Sequence, residues 1–91
     1  MYRKGQRKGT AEFVFRPSTG VREAFVAGDF SQWRPVAMKR QKDGLFAVQV
    51  AATAGTYEYK FILDGRWTTD PDHSNWAGNP FGTMNSVATL R

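Results

Sequence analysis

Hydrophobic and polar positions alternate in short runs along this chain, and no stretch of ten or more residues has the apolar spacing of a helix. Turn-forming residues separate the runs, as in Pro17-Ser18-Thr19-Gly20, Lys42-Asp43-Gly44 and Ala54-Gly55. The predicted strands lie at residues 12–16, 21–27, a run headed by Met38, 46–50, 57–63, 67–69 and 87–90. About seven short strands at this spacing predict an all-β fold, a β-sandwich in the immunoglobulin size range. A five-stranded barrel of the oligonucleotide-binding type is the second candidate.

The alternation in residues 57–63 also assigns two faces to one strand. One face carries four large side chains that we expect in the core: Tyr57, Tyr59, Phe61 and Leu63. Lys60 then points outward, between Glu58 and Ile62. Asp64-Gly65 follows this strand and predicts a type I′ hairpin turn, which needs positive φ at both central residues.

The length and charge of the chain predict one domain with a basic N-terminal tail. The chain has 91 residues, enough for a single domain, and a formal net charge of +5. Four of its 13 basic residues are Arg3, Lys4, Arg7 and Lys8, so residues 9–91 are almost neutral. We therefore expect a flexible tail at residues 1–10 and a folded domain at residues 11–91. Contact of the tail with an acidic partner or a phosphate backbone stays open.

Composition argues against several other classes of protein. Without cysteine there are no disulfides, thiolate metal sites or thiol catalysis, and the cytoplasm is mildly favoured. No apolar run approaches the roughly 20 residues of a membrane span, and the basic start is not a secretory signal. A single histidine, His73, and no nucleophile motif disfavour an enzyme, so we expect neither catalytic residues, nor a metal site, nor a cofactor.

Two tryptophans and a lysine at the ends of hairpin signals suggest a ligand site. Trp33 and Trp67 offer flat apolar rings, and Lys60 lies in the strand between them. The C–H face of a sugar stacks on aromatic rings, and its hydroxyls need directional polar partners. Asn85, near the last strand, supplies both a donor and an acceptor. If these residues converge, they favour a carbohydrate ligand.

Several motifs, in order along residues 12–90, give the chain a strong resemblance to carbohydrate-binding module family 48. This family includes the glycogen-binding domain of the AMP-activated protein kinase β subunit and the early-set domain of isoamylases and branching enzymes. The motifs are Gly28-Asp29-Phe30-Ser31-Gln32-Trp33, Met38, Asp43-Gly44-Leu45-Phe46, residues 55–67, Asp70-Pro71 and residues 81–87. The resemblance implies an early-set, immunoglobulin-like β-sandwich that binds α-1,4-linked glucans such as glycogen or starch without catalysis. It also implies a glycogen-metabolising enzyme or a kinase as a partner.

The resemblance also implies which residues contact the glucan. The family's ligand positions fall on Trp33, Lys60, Trp67, Phe81 and Asn85. Four match the kinase module in residue type, whereas Phe81 replaces a leucine that reaches into the curve of the glucan. A bulkier, flat ring there leaves open the preference between cyclic and linear ligands.

Other residues have simpler interpretations. Trp76 matches no ligand position of the family, and we expect a loop anchor or an extra sugar platform. We expect His73 at the surface, and Asp29 and Asp64 as caps of backbone donors in turns. Gly28, Gly44, Gly65 and Gly82 are predicted to serve turns that need positive φ.

Two alternatives to glucan binding stay open. A protein-interaction module would keep the fold and regulate a separate enzyme or kinase without binding sugar. A nucleic-acid-binding barrel is less favoured, because only Lys60 lies between the tryptophans and the domain body is nearly neutral. A membrane partner is not expected.

Overall fold

The computed structural model describes residues 1–17, 20–73 and 75–90, and they form an all-β domain. Ten strands and one 3₁₀ turn, Asp29–Ser31, occur in these residues. The strands are β1 (Tyr2–Lys4), β2 (Thr10–Phe15), β3 (Ala24–Gly28), β4 (Val36–Ala37), β5 (Lys39–Arg40), β6 (Phe46–Ala51), β7 (Gly55–Leu63), β8 (Arg66–Thr68), β9 (Trp76–Gly78) and β10 (Met84–Leu90). No helix in this described part is long and apolar enough to cross a membrane. Ser18 and Thr19, part of one predicted turn, lie outside the described residues.

The strands form two antiparallel sheets, which confirms the predicted sandwich and not the barrel. One sheet has the order β1-β2-β6-β5, and the other has the order β4-β3-β7-β10-β9 with β8 also paired to β7. The predicted run headed by Met38 is two short strands, because β4 pairs with β3 and β5 pairs with β6. Met38 between them is buried where the chain crosses from one sheet to the other.

The N-terminal residues differ from the predicted tail. In β1, Tyr2–Lys4 pairs with β2, and Arg3 lies opposite Glu12. The Arg3 guanidinium donates to the Glu12 carboxylate at 2.5 Å. The turn after β1 is also held, since the Gly5 amide donates to the Thr10 carbonyl at 2.9 Å. Part of the predicted basic tail is therefore the edge of a sheet, because backbone pairing orders it.

The side chains of β7 divide between the two faces as predicted. Tyr59 and Phe61 are fully buried, and Tyr57 and Leu63 pack partly buried against the same core. The Tyr59 hydroxyl donates to the buried Asp70 carboxylate at 2.5 Å. Burial, and next this hydrogen bond, raise the pKa of Tyr59 far above its ordinary value.

Three of the four predicted turn glycines have positive φ, and Gly28 does not. Gly44, Gly65 and Gly82 have φ of 87°, 84° and 80°. Asp64 precedes Gly65 with φ of 48°, which confirms the type I′ turn. Gly28 has φ of −175°, a value open to any residue. A Cβ there would lie 2.5 Å from the Glu58 carbonyl oxygen, so close approach to β7 is what requires glycine.

Candidate functional site

A cavity of about 630 Å³ lies on the outer face of the larger sheet. All five residues predicted for the site line this cavity: Trp33, Lys60, Trp67, Phe81 and Asn85. They come from distant parts of the sequence and meet because β7 lies between β3, β8 and β10. The fold therefore brings together the residues that sequence reasoning selected.

Strand register places three of these side chains on one face. Lys60 lies opposite Ala27 of β3, and its side chain projects away from the core row of Tyr59 and Phe61. Trp67 of β8 lies opposite Ile62, two residues from Lys60 and therefore on the same face. Asn85 lies on that face of β10, since neighbouring Ser86 pairs with inward-facing Tyr59.

Trp33 follows the 3₁₀ turn in a strained backbone conformation. Gln32 and Trp33 have φ of 53° and 62°, in the left-handed region that residues other than glycine rarely adopt. The Trp33 amide donates to the Gly28 carbonyl at 2.9 Å, which closes the turn. Its indole Nε1 donates to Asp29 Oδ1 at 3.0 Å. These bonds hold the half-buried Trp33 ring in one orientation at the cavity.

Asp29 links Trp33 to the central strand. While Oδ1 accepts the indole proton, Oδ2 accepts the Glu58 backbone amide of β7 at 2.8 Å. The predicted cap of a backbone donor is confirmed, but the capped group lies in another strand. The Trp33 ring lies beside that of Trp67, with ring centroids 6.5 Å apart and planes inclined by 38°.

Lys60 and Asn85 already have partners inside the cavity. Lys60 Nζ donates to Thr83 Oγ1 at 3.1 Å and has two further hydrogens. Asn85 Nδ2 donates to Glu58 Oε1 at 3.1 Å, and Asn85 Oδ1 accepts from Asn79 Nδ2 at 3.1 Å. Asn85 is only 8% exposed, and each end of its amide has one hydrogen-bonding position that no bond within the described residues uses. The surrounding network therefore orients both polar groups.

Phe81 lies at the tip of the loop between β9 and β10. Its side chain is 89% exposed, the most exposed large apolar residue in the described chain. The loop beneath it is closed by the Asn79 backbone N–H, which donates to the Thr83 carbonyl at 3.0 Å. Phe81 thus stands at the cavity as an exposed ring on a hydrogen-bonded turn.

The charged side chains that line the cavity are two carboxylates and one ammonium group. Asp29 and Glu58 carry negative charge, and Lys60 carries positive charge, so the formal sum is −1. A phosphate backbone requires an excess of positive charge on its binding surface. The charge of this cavity is better suited to a neutral ligand. In the part that the structure describes, no group of three or more His, Cys, Asp or Glu is arranged to hold a metal ion.

Comparison with known families identifies the chain. The model of the family described as the glycogen recognition site of AMP-activated protein kinase matches residues 11–91. The chain belongs to this family. Members of the glycogen recognition family are carbohydrate-binding modules, which are non-catalytic domains. The predicted class, a carbohydrate-binding module, is thereby confirmed.

Curated relatives of the glycogen recognition domain include kinase subunits and a plant protein. The chain is 30% identical over 78 residues to 5'-AMP-activated protein kinase subunit beta-1 of Sus scrofa, which is 86% of this chain and 62% of that protein. The alignment with the Homo sapiens subunit is also 30% identical, and covers 28% of that protein. Protein PTST homolog 2, chloroplastic, of Arabidopsis thaliana is 36% identical over 63 residues, 68% of this chain and 12% of that protein. The chain thus spans less than two thirds of these relatives.

Solved structures with a similar fold include a bacterial pullulanase. The pullulanase of Paenibacillus barengoltzii complexed with maltotetraose aligns with a TM-score of 0.56 at 23% identity, over 88% of this chain and 13% of that one. Its apo form aligns with a TM-score of 0.55 at 22% identity, over 92% of this chain and 14% of that one. These likenesses confirm the fold of the glycogen recognition domain.

Four polar residues of the cavity were not assigned to the site by sequence reasoning: Asp29, Glu58, Asn79 and Thr83. Glu58 lies two residues from Lys60, so the strand period alone places both on one face. Asn79 precedes Pro80, and an Asn-Pro pair indicates a turn in which the amide side chain caps backbone groups. Thr83 lies within the family motif of residues 81–87, but sequence reasoning assigned contacts there only to Phe81 and Asn85.

Trp76 and His73 lie outside the cavity. Trp76 belongs to β9 and lies opposite Ser86, so its side chain shares the inner-facing side of the sheet and not the face of Asn85. It is 53% exposed, and the predicted loop is a short strand at this point. The His73 ring lies 4.5 Å from the Tyr2 ring, and its side chain is half-buried rather than fully at the surface.

Proposed function

We propose that this domain binds α-1,4-linked glucans, such as glycogen, starch and maltooligosaccharides, at the cavity formed by Trp33, Lys60, Trp67, Phe81 and Asn85. One observation carries the proposal: these five residues line a single cavity in a chain of the glycogen recognition family. A shallow site of this kind gives an affinity on the order of micromolar to millimolar.

The chemistry of the cavity suits a neutral sugar chain. The indole faces of Trp33 and Trp67 stack on the apolar C–H faces of glucose units. Lys60 donates its free hydrogens to hydroxyl groups, and Asn85 offers one donor and one acceptor position. Asp29 orients the Trp33 indole and Glu58 orients Asn85, and the remaining lone pairs of both carboxylates accept from sugar hydroxyls.

The relatives support a proposal for the wider role. The curated relatives are a kinase subunit and a chloroplastic protein, each longer than this chain. In this proposal the domain carries no reaction itself and holds an associated kinase or a glycogen-metabolising enzyme at the glucan. The protein as a whole is proposed not to be an enzyme. A cytoplasmic location stays a prediction, supported by the absence of cysteine.

Co-sedimentation with insoluble amylose tests the proposed function. The protein is expected in the pellet with amylose and in the supernatant when maltoheptaose is added as a competitor. Sodium chloride added in place of the sugar should not release the protein, because the glucan carries no charge whose attraction salt could screen. A protein that stays in the supernatant without competitor contradicts the proposal.

A further inference from the structure

Asn79 makes more side-chain hydrogen bonds than any other residue that lines the cavity in the described chain. Its Nδ2 donates to Thr83 Oγ1 at 2.6 Å and to Asn85 Oδ1 at 3.1 Å. Its Oδ1 accepts the Phe81 amide at 2.9 Å and the Thr83 amide at 3.2 Å. Both hydrogens and both lone pairs of the amide are used. Any rotation of this side chain therefore breaks several bonds at once.

Three of these four bonds lead to a residue of the proposed glucan site, and the fourth holds the Thr83 backbone amide in the loop. The acceptor end holds the backbone of Phe81, whose ring is 89% exposed and so has little packing to fix it. The donor end holds Asn85 directly, and holds Lys60 through Thr83 Oγ1, which also accepts from Lys60 Nζ. One side chain thus connects three predicted ligand contacts on two strands and a loop.

We infer that Asn79 is a positioning residue that fixes Phe81, Lys60 and Asn85 in the arrangement that binds glucan. The inference rests on the proposed function. An exposed loop that must become ordered on binding loses affinity through entropy, whereas a preordered one does not. Asn79 supplies that order before the ligand arrives, without needing to contact the sugar.

The two ends of the amide can be tested separately. In N79A both ends are lost. In N79D two acceptor oxygens remain for the Phe81 and Thr83 amides, but the donor is lost, and an oxygen faces Asn85 Oδ1. The matched control is N75A, because Asn75 is exposed and outside the cavity, and its one hydrogen bond within the described residues is from the Val87 amide to its backbone carbonyl, at 2.8 Å.

Calorimetric titration with β-cyclodextrin and maltoheptaose measures the effect on binding. We expect N79A to lower the affinity by about tenfold, N79D to lower it less, and N75A to leave it unchanged. In the double variant N79A/F81A, the loss should be smaller than the product of the two single losses, since Asn79 acts partly through Phe81. If the loss of affinity in the double variant equals the product of the two single losses, the inference is overturned. An N79A affinity within about twofold of the parent overturns it as well.

Amide hydrogen exchange on the unliganded protein separates this inference from the proposed function. The Phe81 and Thr83 amides should exchange faster in N79A than in the parent and N75A, and close to the parent rate in N79D. Unchanged exchange in N79A overturns the inference even if glucan binds. If the parent binds no glucan but the exchange rates change as expected, the proposed function is overturned. Asn79 then orders the loop but does not position residues for glucan.

Discussion

The indole rings of Trp33 and Trp67 lie with centroids 6.5 Å apart and planes inclined by 38°. The two rings therefore form an angled surface and not a flat platform. Phe81 stands on the same cavity as an exposed third ring. In the proposed binding of glucan, such a surface suits a sugar chain that curves, as an α-1,4-linked glucan does, and not the flat ribbon of a β-1,4-linked glucan.

The angle between the rings predicts discrimination by linkage. Maltohexaose should bind at least about tenfold more tightly than cellohexaose, because only the curved chain places sugar faces on both indole rings. Intrinsic tryptophan fluorescence, titrated with each sugar, measures the two affinities. Equal affinities for the two sugars are incompatible with the angled surface as the basis of recognition.

Removal of the Asp29 carboxylate should weaken glucan binding through Trp33. D29A deletes the acceptor of the Trp33 indole and of the Glu58 amide, so the ring loses its fixed orientation. We expect a loss of affinity of several-fold and a decrease of about 0.5–1.5 kcal/mol in the free energy of unfolding, since both hydrogen bonds are exposed. Calorimetry with maltoheptaose and urea denaturation provide the two measurements.

D43A is the matched control for D29A. Asp43 also caps a backbone amide, that of Leu45 at 3.0 Å, but in an exposed turn outside the cavity. Its removal should leave the affinity unchanged. If D29A binds maltoheptaose as tightly as D43A, Asp29 does not position Trp33 for the ligand.

Substitution of Gly28 should destabilise the fold more than substitution of Gly78. A Cβ at Gly28 would lie 2.5 Å from the Glu58 carbonyl oxygen and 2.9 Å from Tyr59 Cβ, whereas a Cβ at Gly78 has nothing within 4 Å. We expect G28A to lower the free energy of unfolding by about 1–3 kcal/mol and G78A to change it by less than about 0.5 kcal/mol. Chemical denaturation measures both, and similar values for the two variants refute the close approach.

The buried Tyr59 predicts a loss of stability at alkaline pH. Burial, and next the hydrogen bond to Asp70, raise its pKa in the folded state, whereas an unfolded tyrosine ionises near pH 10. The stabilisation is therefore complete below about pH 10 and decreases as the pH rises further, since only the unfolded state releases the proton. The free energy of unfolding should fall more steeply between pH 9 and about pH 11 in the parent than in Y59F.

Y59F also changes stability at neutral pH, because it loses the hydroxyl that donates to Asp70. Its free energy of unfolding at pH 8 should be lower than that of the parent by about 1–3 kcal/mol. The decisive quantity is the slope with pH, measured by urea denaturation at each pH. Equal slopes for the parent and Y59F show that Tyr59 does not titrate differently in the two states.

The sequence predicted the long strands well and the short ones poorly. β7 has nine residues and a strict alternation, so both its faces were readable. β4 and β5 have two residues each, too few for a period, and β1 was hidden in a basic segment that reads as solvated. Their existence depends on backbone pairing with partners far along the chain, which no local pattern records.

Sequence motifs identified the five predicted site residues, but not the residues whose hydrogen bonds hold them in place. Asn79 and Thr83 matter in the structure because they hydrogen-bond to side chains on other strands, and side-chain networks have no fixed spacing in sequence. Gly28 was assigned a positive φ because a turn follows it. The close approach of Glu58, which is 30 residues away, is what the structure shows instead.

The most direct test of glucan binding at the cavity compares two tryptophans of equal exposure. Trp67 is 52% exposed and lines the cavity, whereas Trp76 is 53% exposed and lies on the other side of the sheet. Calorimetric titration of W67A and W76A with maltoheptaose therefore compares equal losses of exposed ring at different places. We predict that W67A loses at least about tenfold in affinity and that W76A binds like the parent. An unchanged affinity in W67A, or an equal loss in W76A, would contradict the assignment of the site.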